Sequence, residues 1–393
     1  MAKKHCIVIG SGILGASVAW YLTQTGADVT IFEAEQAGGR ATRDSWAWIN
    51  ASWGNPEPYF RLRQRSMYEW QNLNQQLPAV RLDRCGGLIW DLPPDQLEAF
   101  AQEHGSWGYE LERVDSARAL QIEPGIKQPP AFALYMPQEG KVEPLEAALA
   151  LLADAQKSGA RLHVNTPVTS LLQSGGCVTG VRTPDATLEA DEVVIAAGIG
   201  SVALLQGLGL HYNTAAPPGL LVHTKPTRPL LKTLLMTPEM HVRQTSEGRL
   251  VAGADFVGNM DGTPPEAQAA DLLKKIKARV AGSEDLEMDY YTVGLRPTPG
   301  DGFPMVGRPK NTKGLYLVLS HSGITLAPAL GLFATQELIE GMRDPLLEKY
   351  HPDRLLQPAA SRGVFGLRAL LIAVPVTRGG KPVCWVRMRP LTG

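Results

Sequence analysis

The strongest restriction on this chain is written near its N-terminus. Cys6-Ile7-Val8-Ile9 is a short apolar run of the kind found in a fully buried strand, and Gly10-Ser11-Gly12-Ile13-Leu14-Gly15 follows it at once. Ala16 to Thr25 has helical spacing and stops at Gly26; Val29-Thr30-Ile31-Phe32 reads as a second strand ending at Glu33. This is a β-α-β unit with glycines where a dinucleotide requires them. The first permits a tight turn, the second lets the backbone approach a pyrophosphate, and the third lets helix and strand pack closely. The helix N-terminus offers free N–H groups and the positive end of its dipole to the phosphates. An acid at position 33 accepts hydrogen bonds from ribose hydroxyls and repels a 2′-phosphate. The motif leaves FAD and NAD both open.

Further along, Pro58 to Leu77 reads as an amphipathic helix, and Gly140-Lys141-Val142-Glu143-Pro144 precedes an Ala/Leu-rich helix from Leu145 to Ser158. Arg161 to Val164, Val168 to Leu172, Val178 to Arg182 and Glu192 to Ile195 read as strands, the last closed by Ala196-Ala197-Gly198. From Ala215 to Val293 strand candidates such as Met240 to Thr245 and Arg249 to Ala254 alternate with polar turns, with one helix from Pro265 to Val280. That pattern indicates an antiparallel sheet in a second domain. Leu315 to Leu319 returns to a buried strand, and Gly323 to Gly341 is an apolar helix. The expected class is α/β: a Rossmann-like dinucleotide domain with an interleaved α+β substrate domain on a mostly antiparallel sheet. The expected boundaries are 1–85, 140–212 and 290–358 for the first domain, 86–139 and 213–289 for the second, and 359–393 for a basic and apolar tail of unknown role.

Composition removes several classes of function. A net charge of −1 provides no global field for nucleic acid or an anionic membrane. The four cysteines, at positions 6, 85, 177 and 384, form no CxxC pair, so neither a zinc site nor a disulfide framework is indicated. No run of apolar residues is long enough for a transmembrane segment, and no signal peptide is expected, since the first residues show neither its apolar run nor its cleavage site. A cytoplasmic location is the expectation.

With these motifs in order, the sequence resembles the D-amino acid oxidase superfamily of flavoenzymes, and within it glycine oxidase and sarcosine oxidase-like members. The resemblance spans roughly residues 4 to 356. It rests on Gly10 to Gly15 with Glu33, Gly38-Gly39-Arg40-Ala41-Thr42, Gly140 to Pro144, Ala196-Ala197-Gly198, Gly294-Leu295-Arg296-Pro297, and Ser320-His321-Ser322-Gly323-Ile324-Thr325-Leu326-Ala327-Pro328. It implies FAD as cofactor. Gly10, Ser11, Gly12, Ile13, Leu14 and Gly15 would hold the phosphates, with Glu33 and Ala34 at the adenosine. Arg40, Ala41 and Thr42 would line the pyrophosphate and ring, Val168 would meet the adenine side through its backbone, and Ala197 and Gly198 would complete the cofactor shell. Gly323, Ile324, Thr325 and Leu326 would open a helix facing the flavin edge where negative charge gathers on reduction. Covalent attachment is not expected: Gly294 stands where sarcosine oxidases carry the tethering cysteine, and no histidine lies between Gly39 and Trp48.

The resemblance also makes Arg296 the candidate clamp for a substrate carboxylate, because a guanidinium grips a carboxylate with two parallel bonds. A local acid such as Asp301 is the competing partner. His321 stands near the position of a second arginine of glycine oxidase. His241 takes the place of an active-site tyrosine, with Glu239 two residues earlier. Trp46 and Trp48 replace smaller residues beside the ring. These departures argue against a plain glycine-like substrate. The implied reaction is oxidation of an amine or amino acid by hydride transfer to the flavin, with oxygen as acceptor. The alternatives are a dehydrogenase of the same fold that uses a quinone or other carrier, and a non-catalytic flavin-binding redox protein.

Overall fold

Strand β1 (His5–Ile9), helix α1 (Ile13–Gln24) and strand β2 (Asp28–Phe32) form the expected β-α-β unit. In the computed structural model the described residues are 3–52, 55–254, 263–358, 376–378 and 381–383. The chain divides into two units, Met1–Pro358 and Ala359–Gly393. In the second, Val376–Arg378 pairs antiparallel with Lys381–Val383. The expectation for the tail otherwise falls outside the described residues.

The first unit contains two large sheets. One has six strands in the order Met305–Gly307, Leu315–Leu319, Glu192–Ile195, β1, β2, Arg161–His163. All pairs are parallel except the first, where Met305 faces Leu319. Parallel strands covered on both faces need apolar side chains throughout. Leu315–Leu319 and Glu192–Ile195 are accordingly buried along their whole length.

The second sheet has eight strands, ordered Met288–Leu295, Pro218–Thr224, Leu250–Gly253, His241–Gln244, Leu234–Met236, Gly87–Ile89, Ala133–Met136, Glu112–Val114. Its pairs are antiparallel apart from Leu234–Met236 with Gly87–Ile89. The Met288–Leu295 strand runs past position 290 within this sheet and delivers Arg296 at its end. The helix expected from Pro265 spans Pro265–Arg279. The strand read from Val168 begins at Ser170, leaving Val168 in the approach to it.

One helix–helix contact organises the junction. Gly331, in the Gly323–Glu340 helix, leaves room for α1: a Cβ there would lie 2.3 Å from Ser17 Oγ. Ser17 Oγ donates to Ala327 O at 2.7 Å. Pro328, inside the same helix, has no N–H for the carbonyl of Ile324, one turn earlier. The buried indole of Trp70 donates to that carbonyl at 2.9 Å. A proline that would otherwise strand a buried acceptor is thereby accommodated.

Candidate active site

The glycine loop is sterically closed around its own backbone. Gly10 has φ +101°, and a Cβ there would lie 2.5 Å from Ala196 O. A Cβ on Gly15 would lie 2.0 Å from Gly10 O. Ser11 joins the loop to its surroundings. Its N–H and its hydroxyl both donate to Glu33 Oε2 at 2.8 Å, and its Oγ accepts from Gly38 N at 3.1 Å. Thr42 Oγ1 accepts from Ile13 N, the first residue of α1, at 2.9 Å. Gly39, at φ +66°, lies so close that a Cβ would be 2.9 Å from Gly12 Cα. Residues 10–15, 33 and 38–42 therefore form one cradle.

A second helix N-terminus meets the first. A Cβ on Gly323 would lie 3.5 Å from Leu14 Cγ and 3.8 Å from Ile13 Cγ2. The Gly323–Glu340 helix makes its first backward bond from Leu326 N to Ser322 O, at 3.1 Å. The N–H groups of Gly323, Ile324 and Thr325 thus precede its ladder, as at any helix start. Two positive dipole ends converge beside the glycine cradle, which suits a ligand carrying both phosphates and an electron-rich ring edge. The glycine packing and these helix ends fit an extended dinucleotide such as FAD.

The other residues expected at the cofactor are placed as follows. Ile324 and Leu326 send their side chains into the core. Ala34 and Ala41 are exposed, and Arg40 is exposed with its guanidinium on Glu35. Val168 is half-buried and packs in the smaller apolar cluster behind β2. Gly198 has φ +54°, and a Cβ there would lie 3.3 Å from Pro297 Cγ. Position 294 has no space for a side chain, since a Cβ there would lie 2.7 Å from Asp44 Cβ.

The residues expected on the substrate side are placed as follows. The guanidinium of Arg296 lies over Gly219, where a Cβ would be 2.3 Å from one of its terminal nitrogens. Its backbone N–H donates to Pro217 O at 3.1 Å. Asp301 is bound by Arg354 through two hydrogen bonds, of 2.6 and 2.9 Å. Glu239 is paired with Arg279. His241 is wholly buried, with Gly253 opposite it in the sheet leaving space for its ring. Burial, then the charge of Arg296, pushes its imidazole down to about 3. Burial, then Arg296 and Arg63, holds His321 at about 4. Both imidazoles are therefore neutral at physiological pH, and both sit in the field of Arg296.

Trp46 meets His241 edge-on, with ring centroids 4.6 Å apart, and Trp48 lies 6.1 Å from Trp46. Ala47 between them has φ +62°, a left-handed backbone that is uncommon for a residue with a Cβ. Buried Arg243 fixes one side of this turn. Its Nε donates to Trp46 O at 2.6 Å while its two terminal nitrogens grip Glu143 at 3.0 and 3.1 Å. Thr325 fixes the other side, donating from Oγ1 to Trp48 O at 2.9 Å.

Comparison with known proteins shows the family. A model of the DAO family, FAD dependent oxidoreductase, matches residues 5–337. The chain belongs to this family. As a family member it is an FAD-dependent oxidoreductase, which decides between the two dinucleotides that the glycine loop left open. Glycine oxidase of Bacillus licheniformis is 27% identical over 370 residues, covering 90% of this chain and 98% of that protein. Among solved structures, glycine oxidase from Bacillus cereus is similar with a TM-score of 0.78 at 23% identity, covering 88% of this chain and 98% of that one. L-proline dehydrogenase from P. horikoshii is similar with a TM-score of 0.81 at 22% identity, covering 90% and 97%. These two structures support the fold. No helix among the described residues of this family member is long and apolar enough to cross a membrane.

Several residues around the site escaped sequence reasoning. Arg63, Tyr109 and Glu139 carry no motif of their own. Glu143 lies inside a recognised motif, yet only the fold reveals its partner, Arg243, 100 residues away.

Proposed function

We propose that this oxidoreductase oxidises the C–N bond of an amino acid, or of an amine carrying a carboxylate, with Arg296 as the carboxylate clamp and FAD held without a covalent bond. The observation that carries the reading is the convergence on Arg296 of two neutral histidines, His241 buried and His321 half-buried, beside the Trp46–Trp48 wall. Such a site presents one strong cation, two neutral hydrogen-bonding rings and an apolar wall. An amino acid offers the complementary groups: a carboxylate, an amine that can bind neutral, and a carbon side chain. The glycine oxidase relative supports an amino acid substrate, while His241, His321 and Trp48 support one different from glycine.

The chemistry that FAD supplies when bound is acceptance of a hydride from the carbon beside the amine, which leaves an imine for water to hydrolyse. The protein's own residues bind and orient. Arg296 anchors the carboxylate, and His241 and His321 hydrogen-bond as neutral imidazoles. Trp48 and Trp46 exclude water from one side, and the helix at Gly323 would face the negative edge of the ring. No side chain is required as a base when the amine arrives neutral. Oxygen is the acceptor in this reading. The dehydrogenase alternative is supported by the L-proline dehydrogenase neighbour, and peroxide yield per turnover separates the two.

Arg296→Ala tests the clamp. Substrate or carboxylate-inhibitor affinity should fall by roughly 2–4 kcal/mol, the scale of a lost charged pair in a desolvated site. Arg296→Lys should recover only part of it, since the ammonium cannot form the paired bonds. Flavin content should be unchanged. An alanine variant that binds carboxylates as well as the parent would remove the amino acid reading while leaving the family assignment intact.

Glu33 is proposed to hold the adenosine ribose. Its Oε1 accepts from Glu35 N at 3.1 Å, and Oε2 is shared by the two donors of Ser11. Glu33→Ala would unlatch Ser11 as well as the ribose, and FAD binding should weaken by roughly 1–3 kcal/mol. Flavin titration of the apoprotein checks this; an unaltered dissociation constant would contradict it.

A further inference from the structure

We propose that Glu139 is a positioning residue of the active site, whose carboxyl fixes the indole of Trp48 as one wall of the substrate pocket. The proposal rests on the reading that the Arg296 site takes the substrate.

Glu139 lies just after the Ala133–Met136 strand and is completely buried. Trp48 Nε1 donates to its Oε2 at 2.7 Å, and the hydroxyl of Tyr109 donates to its Oε1 at 2.6 Å. Ser52 adds a third side-chain hydrogen bond. The neighbouring strand makes room for the group: a Cβ on Gly87 would lie 2.7 Å from Oε2. Among the described residues no cation comes within ion-pair distance of this carboxyl. The groups facing it are Trp48, Ser52, Tyr109 and, at longer range, Arg63, the one charge in the set. Burying a carboxyl without a paired cation is costly, and a packing role alone is filled better by an apolar residue. What a carboxyl does here is accept from several donors at once, with both oxygens, and so fix their directions.

One of those directions leads into the site: the indole of Trp48 meets Trp46, which in turn meets His241. Arg63, which faces the carboxyl without a hydrogen bond to it, holds the same segment: its Nε donates to Asn50 O at 3.0 Å and its Nη2 to Asn50 Oδ1. Asn50 belongs to the segment that Thr325 pins to the start of the Gly323–Glu340 helix. The stretch from Trp48 to Ser52 is therefore held between the buried carboxyl and the helix end proposed to face the flavin. Burial raises the Glu139 carboxyl to about 7, so its charge changes across neutral pH. As a carboxylate it only accepts hydrogen bonds, and its grip on the indole N–H tightens.

The holoenzyme provides two independent tests. In the first, near-ultraviolet circular dichroism is followed across about pH 7. The parent should show a step in its tryptophan bands that is absent from both Glu139→Gln and Trp48→Phe. Persistence of the step in either variant overturns the proposal, and Trp48→Phe decides the question even if the glutamine variant does not fold. In the second, benzoate is titrated against the flavin spectrum in a double-mutant cycle. Glu139→Gln should raise the dissociation constant on the order of fivefold, and should add nothing in the Trp48→Phe background. Fully additive effects would show that Glu139 does not act through Trp48. If benzoate leaves the parent spectrum unchanged, the Arg296 reading fails, and the dichroism step alone decides the role of Glu139.

Discussion

Gly15→Ala should yield a protein that purifies with little or no flavin. The added methyl carbon would stand 2.0 Å from Gly10 O. That atom is backbone, and it belongs to a residue already held at φ +101° against Ala196. No flexible side chain can give way, so α1 must retreat from the loop. Overpacking of this kind costs roughly 1–3 kcal/mol in an ordinary core and more where backbone is the obstacle. The displaced parts are the glycine turn and the helix N-terminus, the two elements proposed to cradle the pyrophosphate. The ratio of flavin to protein absorbance after purification measures the effect. Gly105→Ala is the control, since apart from its chain neighbours and its own helix backbone nothing lies within 4 Å of a Cβ there and the residue is inside a helix. It should keep full flavin and gain up to about 1 kcal/mol of stability from helix propensity. A Gly15→Ala protein with stoichiometric FAD would mean that the glycine packing does not govern cofactor binding.

The protein should lose stability steeply as pH falls from about 6.5 to about 4. Burial is the first cause of depression in five histidines: His104, His223 and His321 are held at about 4, His241 at about 3, and His351 is lowered as well. In the unfolded chain each regains a value near 6.5. Between the two values the unfolded state binds more protons, so the stability present above pH 6.5 is lost as pH falls toward the folded values. For the wholly buried pair, His104 and His241, the loss is roughly 3 kcal/mol each. Glu139 acts in the opposite sense. Its folded value is raised to about 7, so acidification from there toward the ordinary carboxyl value favours the folded state. Asp44, raised by its own burial, acts in the same sense, and these two carboxyls do not offset five histidines. Melting midpoints at pH 8, 6, 5 and 4 should decline with the main drop below about pH 6.5. His104 packs among Phe60, Phe100 and Trp107, and burial outweighs the neighbours that favour its charged form. His104→Phe should therefore flatten the acid limb. A midpoint that stays level from pH 7 to pH 4.5 would contradict the buried neutral state of these rings.

Much of the cofactor half of the molecule was legible in the sequence because its constraints are local. The turn at Gly10, the close packing at Gly15 and the helix that follows are set by residues within a few positions of one another, and steric exclusion leaves few other ways to arrange them. The apolar runs at Glu192–Ile195 and Leu315–Leu319 read directly as covered parallel strands for the same kind of reason: a strand buried on both faces shows it at every residue. The substrate half was legible only as a resemblance. Arg296 could be named, but Asp301 was the acid nearest in sequence, and the fold gives Asp301 to Arg354 instead. His241 and His321 are ordinary residues in a string of letters. Burial and the shared field of Arg296 make them neutral groups, and both effects arise between segments distant in the chain. Glu139 carries this furthest. Its partners come from positions 48, 52, 63 and 109. A carboxyl acquires its protonation state and its direction from what surrounds it, so only tertiary packing could turn this glutamate into the fixed point behind Trp48.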